Sequence, residues 1–350
     1  MPNNNLGKIN ASTLQSVVQT QLGALRKNIL VEPAFGVDVS VVDIGNGLGL
    51  ATTSDPLSLI PILGLEKSAW LSVHLAVNDM ATTGFKPQYA QFVLNLPSSM
   101  SQDDFSEYWS HIHRFCKDID LSITGGHTGF IEGQNSTIAG GVTMSTVAPL
   151  KEILVSKNAQ ADNSIVVTKS CALSSAAILA GCFPQTVSDK LGKETCDRLK
   201  ASFFQTTSLM EALLAKQHFS DAVFAMHDVT EGGVLGAIFE MASASELGAD
   251  IDLDLMPIGA DQQAICDIFE LNPTECIGAG SMLMSVDKNV AQALCQHLNN
   301  NDIPATVVGH FSEQKGVRLH QSNHPTKAYQ YRDEDPYWAA FFNALNKGWK

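Results

Sequence analysis

Apolar positions recur along the chain with two periods, near 3.6 and near 2, and their alternation predicts helices interleaved with strands. Leu14, Val17, Val18, Leu22 and Leu25 lie at helical spacing and predict an opening helix over residues 14–25, capped by Ser12 or Thr13. Residues 39–44 and 48–53 are β-like runs, and Gly45-Asn46-Gly47 between them predicts a hairpin. The second run leads into Ser54-Asp55-Pro56, which places Asp55 at a strand end. A helix over residues 67–83 carries Trp70, Val73, His74, Val77, Met80 and Ala81 on one side, with Gly84 and Pro87 as stop signals. Strand 89–96, helix 102–119 and strand 137–147 follow, the last entered from a glycine-rich loop at Gly125-Gly126. Two βαβ-like passages thus predict a first domain over residues 1–150.

The second half repeats the rhythm, with strands 164–168, 222–226, 250–255, 280–286 and 305–311 and helices 174–180, 207–216, 234–245 and 288–300. They predict a second α/β domain over residues 151–320, so the fold class is α/β in two domains. Residues 321–350 turn aromatic (Tyr329, Tyr331, Tyr337, Trp338, Phe341, Phe342, Trp349), as expected of a tail docked on the body.

Composition narrows the function classes. Hydrophobic residues make up 45% of the 350 positions and charged residues 17%, which is a globular balance. No run of roughly 18 apolar residues offers a membrane span. The polar start, residues 1–8, has no signal core, and the cytoplasm is the expected compartment. Seven cysteines, odd in number and without a CxxC pair, argue against disulfides and zinc and for small buried side chains. With 22 basic and 36 acidic residues the net charge is −14, which disfavours nucleic acid and anionic membranes. A polyphosphate ligand would need metal ions to offset its charge.

Asp38, Asp55, Asp79 and Asp228 stand at predicted element ends, where hard oxygen donors from separate segments can converge on Mg²⁺. Each is equally suited to a turn or a cap. Thr124-Gly125-Gly126-His127-Thr128-Gly129 allows close backbone approach to an anion, or a tight turn. The run from His227 through Asp228, Thr230, Glu231, Gly232 and Gly233 joins a strand to a helix N-terminus, which suits a metal-bound phosphate or a capped connection. Neither is a Walker A loop or a Rossmann fingerprint.

Taken in order, Gly36-Val37-Asp38, Thr53-Ser54-Asp55-Pro56, Val77-Asn78-Asp79-Met80-Ala81, Gly125-Gly126-His127-Thr128 and His227-Asp228-Val229-Thr230-Glu231-Gly232-Gly233 resemble one superfamily. Its members include aminoimidazole ribonucleotide (AIR) synthase, selenophosphate synthetase, thiamine-monophosphate kinase and the hydrogenase maturation protein HypE. The runs 70–74 and 227–237 make the HypE-like, AIR synthase-related proteins the nearest likeness. The resemblance implies a homodimer whose N-terminal domains share a central β-barrel, a C-terminal α/β domain, and ATP bound between domains. It implies Asp38, Asp55, Asp79 and Asp228 as Mg²⁺ ligands and Asn78, Gly125, Gly126, His127 and Thr128 around the phosphates. Thr230, Glu231, Gly232 and Gly233 join that set, with Asp228 and His127 closest to the chemistry. The implied activity is ATP- and Mg²⁺-dependent phosphorylation of a small acceptor. Alternatives are a non-catalytic ATP-binding maturation or assembly factor, whose tail docks a protein partner, or a phosphotransferase like selenophosphate synthetase or thiamine-monophosphate kinase. The chain departs from these patterns in places: its last cysteine is Cys295, none precedes Cys116, and His127 stands where HypE and the kinase favour aspartate.

Overall fold

Two open sheets carry the architecture of residues 7–350, the residues described by this computed structural model. Residues 1–6, part of the polar start, lie outside them. α1 (Ala11–Thr13) passes into a π-type turn at Leu14–Val18, and the predicted helix over 14–25 stops there. Its cap is Asn10, whose side chain accepts from the Thr13 N–H, in place of Ser12 or Thr13. Val17 and Leu25 are exposed, so the helical spacing had no core to face and did not propagate.

β1 (Ile29–Val31) pairs with β2 (Ser40–Gly45), and β2 with β3 (Leu48–Ser58). Between β2 and β3, Asn46 (φ 56°) and Gly47 (φ 74°) are both left-handed, as a two-residue hairpin of this hand requires. β3 continues past Thr53, so Asp55 lies within a strand and not at its end. Pro56 is accommodated because the ladder to the next strand is irregular between Pro56 and Ser58.

α2 (Leu65–Ala81) lays Val73, Val77 and Met80 into the core, each such side chain contributing about 1.5–3 kcal/mol by burial. Then come β4 (Tyr89–Pro97), α3 (Gln102–Asp118, capped by Ser101), β5 (Ser122–Ile131) and β6 (Ile138–Pro149). The sheet order is β1-β2-β3-β6-β4-β5, with β4 and β5 parallel across α3. The expected glycine-rich loop at Gly125-Gly126 is therefore an edge strand. The sheet does not close: β1 and β5 are its two edges, and no barrel forms within this chain.

The second half contains β7 (Ser164–Thr168), α4 (Leu173–Cys182), α5 (Pro184–Leu191), α6 (Lys193–Ala201), α7 (Leu209–Phe219), β8 (Val223–Asp228) and α8 (Gly233–Ala244). β9 (Gly248–Asp252), α9 (Ala260–Ile268), β10 (Met282–Val286), α10 (Ala291–Asn299), β11 (Ala305–Ser312) and β12 (Gly316–His320) follow, and β13 (Lys327–Ala328) and α11 (Pro336–Asn346) lie in the tail. The sheet order is β13-β12-β9-β11-β7-β10-β8. Helices α5, α6 and α9 were not expected, since each is short and buries few side chains: Val187 in α5, Cys196 and Leu199 in α6, Ile265 and Cys266 in α9.

One core runs between the halves, joining Val77 and Met80 to Leu209, Met226 and Met284. A polar clamp fixes the junction. Asn78 accepts from the Ser208 N–H at 2.8 Å, Trp70 Nε1 donates to Thr206 Oγ1 at 3.0 Å, and His74 Nδ1 meets Thr207 Oγ1 at 3.0 Å. The tail is docked, as expected: Phe341 and Trp349 pack on Phe183 and Phe269. All seven cysteines are free and buried. Among the described residues no helix is long and apolar enough to cross a membrane.

Candidate functional site

β3, the last turn of α2, and the end of β8 bring Asp55, Asp79 and Asp228 together, and Asp38 joins them just ahead of β2. Asp79 accepts from Thr53 Oγ1 at 2.7 Å, yet burial, and then the charges of Asp228, Asp55 and Asp38, push its carboxyl well above the usual range. Burial pushes Asp228 up to about 7, with Asp38 adding to the shift and His227 and Lys8 opposing it. Burial likewise pushes Asp55 up to about 6, Lys8 opposing and Glu231 adding. Asp228 Oδ2 is buried without a hydrogen-bond partner among the described residues. The four carboxylates are electrostatically one group with too little positive charge. They are not yet a coordination shell, because among the described residues no three His, Cys, Asp or Glu side chains stand close enough to hold a metal.

Around this group lies a network that sequence reasoning missed. His227 Nδ1 donates to Asp38 Oδ2 at 2.7 Å and its Nε2 to Glu240 Oε2 at 3.0 Å, while Tyr331 Oη donates to Glu240 Oε1 at 3.0 Å. Burial alone would keep His227 neutral, but a carboxylate on each ring nitrogen raises its pKa well above that of free histidine, so it is an imidazolium. Glu240 had a readable signal, being a lone carboxylate inside the apolar run 237–242 of α8, where burial demands a partner. Lys8 had none: its Nζ reaches Thr230 Oγ1 at 2.8 Å and Glu231 at 3.6 Å from the far end of the chain.

The phosphate-binding candidates are placed differently from expectation. Most of the α8 N-terminus is taken up: Gly232 N–H donates to Asp335 Oδ2 at 2.7 Å, Gly233 N–H to Thr230 O, and Leu235 N–H to Thr274 O. A carboxylate of the tail thus sits where an anion was expected. Gly233 is required there, because a Cβ would meet Cys276 O at 2.7 Å. Asn78 is fully buried in the interdomain clamp, accepting from Ser208 N–H and donating to Thr206 O. Gly125, Gly126, His127 and Thr128 are exposed on β5. The ladder row Asp55–Val142–Phe92–Gly126 sets them three strands from Asp55, roughly 14 Å at the usual strand spacing. Within one chain His127 is not beside Asp228.

The family model for "AIR synthase related protein, N-terminal domain" matches residues 36–147, and the one for the C-terminal domain matches residues 160–321. The chain belongs to the AIR synthase-related family. Among its relatives, a hydrogenase expression/formation protein of Methanocaldococcus jannaschii is 28% identical over 253 residues, 71% of each chain. A selenide, water dikinase of Aeromonas salmonicida is 27% identical over 258 residues, 72% of this chain and 69% of its own. A solved hydrogenase maturation protein HypE in complex with ATP shares the fold, with a TM-score of 0.63 over 95% of this chain and 97% of that one at 14% identity. This AIR synthase-related chain is HypE-like in that sense. The N-terminal match includes Asp38, Asp55 and Asp79 and the C-terminal one Asp228, yet neither reaches Lys8, Tyr331 or Asp335.

Proposed function

We propose that this chain is an ATP- and Mg²⁺-dependent enzyme that activates a small acceptor by phosphorylation, with nucleotide held at the carboxylate group where the two halves meet. The unpartnered, buried Asp228 Oδ2 carries this reading. A buried carboxylate oxygen with no donor costs about 1–3 kcal/mol or more, and a hard cation removes that cost. Asp38, Asp55, Asp79 and Asp228 offer the oxygen donors that Mg²⁺ prefers, so the donor chemistry suits the ion. The bound ion would supply charge neutralisation at a triphosphate.

The chain's own residues then divide the work. His227 holds Asp38 through a 2.7 Å charge-assisted bond and is itself held by Glu240, which fixes the carboxylate's direction. Thr53 does the same for Asp79. Asp228, at the end of β8, stands nearest the chemistry. Relatives that include a selenide, water dikinase and a HypE solved with ATP support phosphoryl chemistry as the class.

A homodimer completes the reading. β5 is a free edge, nearly all of it exposed, and Val93, Phe130 and Ile131 on β4 and β5 are exposed apolar residues beside it. A second copy covering that surface is the proposed route by which the run from Gly125 to Thr128 contributes to a site.

Calorimetry with Mg²⁺ and AMP-PNP, alongside steady-state ATP hydrolysis, tests the assignment. Asp79→Asn and Asp228→Asn are each expected to weaken nucleotide binding at least about tenfold, the loss of one charged ligand contact. Unchanged affinity and turnover in both variants would remove the assignment. A non-catalytic ATP-binding factor is the second reading, favoured by the occupied α8 N-terminus, which leaves the single chain without a ready phosphate cradle. Nucleotide binding with no hydrolysis at any protein concentration selects it.

A further inference from the structure

A cavity of about 350 Å³ opens beside the carboxylate group. That lies at the small end of the roughly 300–1,000 Å³ typical of ligand sites, enough for a small acceptor. Residues 7–10 form one wall, residues 33–38 a second and residues 331–335 a third, with Glu231, Gly232 and Glu240 contributed by the C-terminal half. Most of this lining falls outside the spans 36–147 and 160–321 matched by the family. The two family matches therefore leave most of this lining undefined.

Its chemistry is one-sided. Asp38, Glu231, Glu240, Asp333 and Asp335 line it against Lys8 and Arg332, and the Arg332 guanidinium reaches Glu275, which is not part of the lining. His227 offsets Asp38 and Glu240, and Lys8 offsets Glu231. Asp333 is exposed and has no ion-pair partner among the described residues. The Lys8 ammonium, itself part of the wall, rests on Thr230 and Glu231. The apolar wall consists of Phe35 set edge-on to Tyr331, with centroids 5.3 Å apart at 88°, and Tyr331 is in turn stacked on Phe239 at 4.8 Å. Carboxylates beside an aromatic face suit a cation, and an anion placed about 4 Å from one carboxylate would lose about 1–4 kcal/mol.

We propose that this cavity is the acceptor's site and that it takes a small organic cation, an amine or guanidine, with its hydrocarbon against Phe35 and Tyr331 and its charged nitrogen toward Asp333. The acceptor role rests on the Mg²⁺-ATP reading, whereas the preference for positive charge stands on the cavity alone. Asp333 disfavours phosphorylated and carboxylate acceptors at that wall.

The test is calorimetric titration of the full chain with butylguanidinium, butylammonium and butyl phosphate, with and without saturating Mg²⁺ and AMP-PNP. Both cations are expected to bind saturably and butyl phosphate is not. Asp333→Asn, a change at an exposed position, should weaken cation binding about fivefold, and Tyr331→Leu, its fold checked by circular dichroism, about tenfold. Butyl phosphate binding as well as the cations, absence of saturable cation binding, or unchanged cation affinity in Asp333→Asn each overturns the proposal. Cation binding by a chain that fails to bind AMP-PNP would instead overturn the nucleotide reading and leave the cavity's charge preference standing.

Discussion

Asp228 couples near-complete burial to an oxygen that no donor reaches, and the cost of that arrangement depends on pH. Its folded pKa of about 7 stands above the usual 3.8. Such a group contributes fully below the unfolded value, and the contribution is lost as pH rises through the folded one. In EDTA the fold should accordingly weaken between pH 4 and 8. Asp228→Asn keeps the shape and removes the charge, so in EDTA it is expected to raise the thermal midpoint more at pH 8 than at pH 5 and to leave it nearly unchanged below pH 4. Mg²⁺ should raise the wild-type midpoint more at pH 8 than at pH 5.5, because its ligands must be deprotonated. Thermal scans at the two pH values decide it, and an equal Mg²⁺ effect at both would count against the cluster as a cation site. The four aspartates were legible in the sequence because turn-forming and glycine neighbours mark them. Their pairing was not: Lys8, His227 and Glu240 come from segments whose meeting depends on the tertiary fold.

Hairpin β2–β3 was readable from Asn46-Gly47, since two left-handed positions leave few alternatives. β5 was misread as a loop for the opposite reason, because a glycine pair ordinarily signals a turn. Here Gly126, at φ 143°, sits where a Cβ would fall 1.8 Å from Phe92 O, so the glycine serves close strand approach inside a ladder. Ion pairing across strands was equally hidden. Arg318 on β12 lies opposite Asp250 on β9, its Nε donating to Asp250 Oδ1 at 2.8 Å, and His320 Nε2 meets the same oxygen at 2.9 Å. The Arg318 hydrogen bonds, opposed by partial burial and aided by His320, hold the Asp250 carboxyl well below its usual range. A depressed acid contributes stability above its unfolded pKa and loses it as pH falls through the folded one. Asp250→Asn should thus cost about 1–2 kcal/mol at pH 7 and progressively less below pH 4, as read from urea unfolding at each pH. An identical cost at pH 3 and pH 7 would mean that packing, and not charge, is what the side chain provides.

At the scale of the molecule, the tail belongs to the fold. Asp335 closes the α8 N-terminus, Tyr331 anchors Glu240, and Tyr337 is buried among α4 and its neighbours. Deleting residues 321–350 is expected to lower stability by several kcal/mol, given about 1.5–3 kcal/mol for each large apolar side chain withdrawn, and to abolish nucleotide binding with it. Denaturant titration of the truncated chain checks this, and a truncated form as stable as the whole would make the tail a free docking segment after all. Light scattering of the full chain addresses the dimer: a twofold mass is expected, and Val93→Lys, a charge set on the exposed face of β4, should halve it.

Much of the cavity's wall comes from short stretches near the two ends of the described chain, while Asp55, Asp79 and Asp228 sit on the strands and helix between them. Exchanging residues 7–10 for those of another family member would leave all four carboxylates in place and change one wall of the space beside them. Diversification of substrate in such an architecture needs no change to the reaction centre, and grafted termini become a direct way to read which molecule each relative admits.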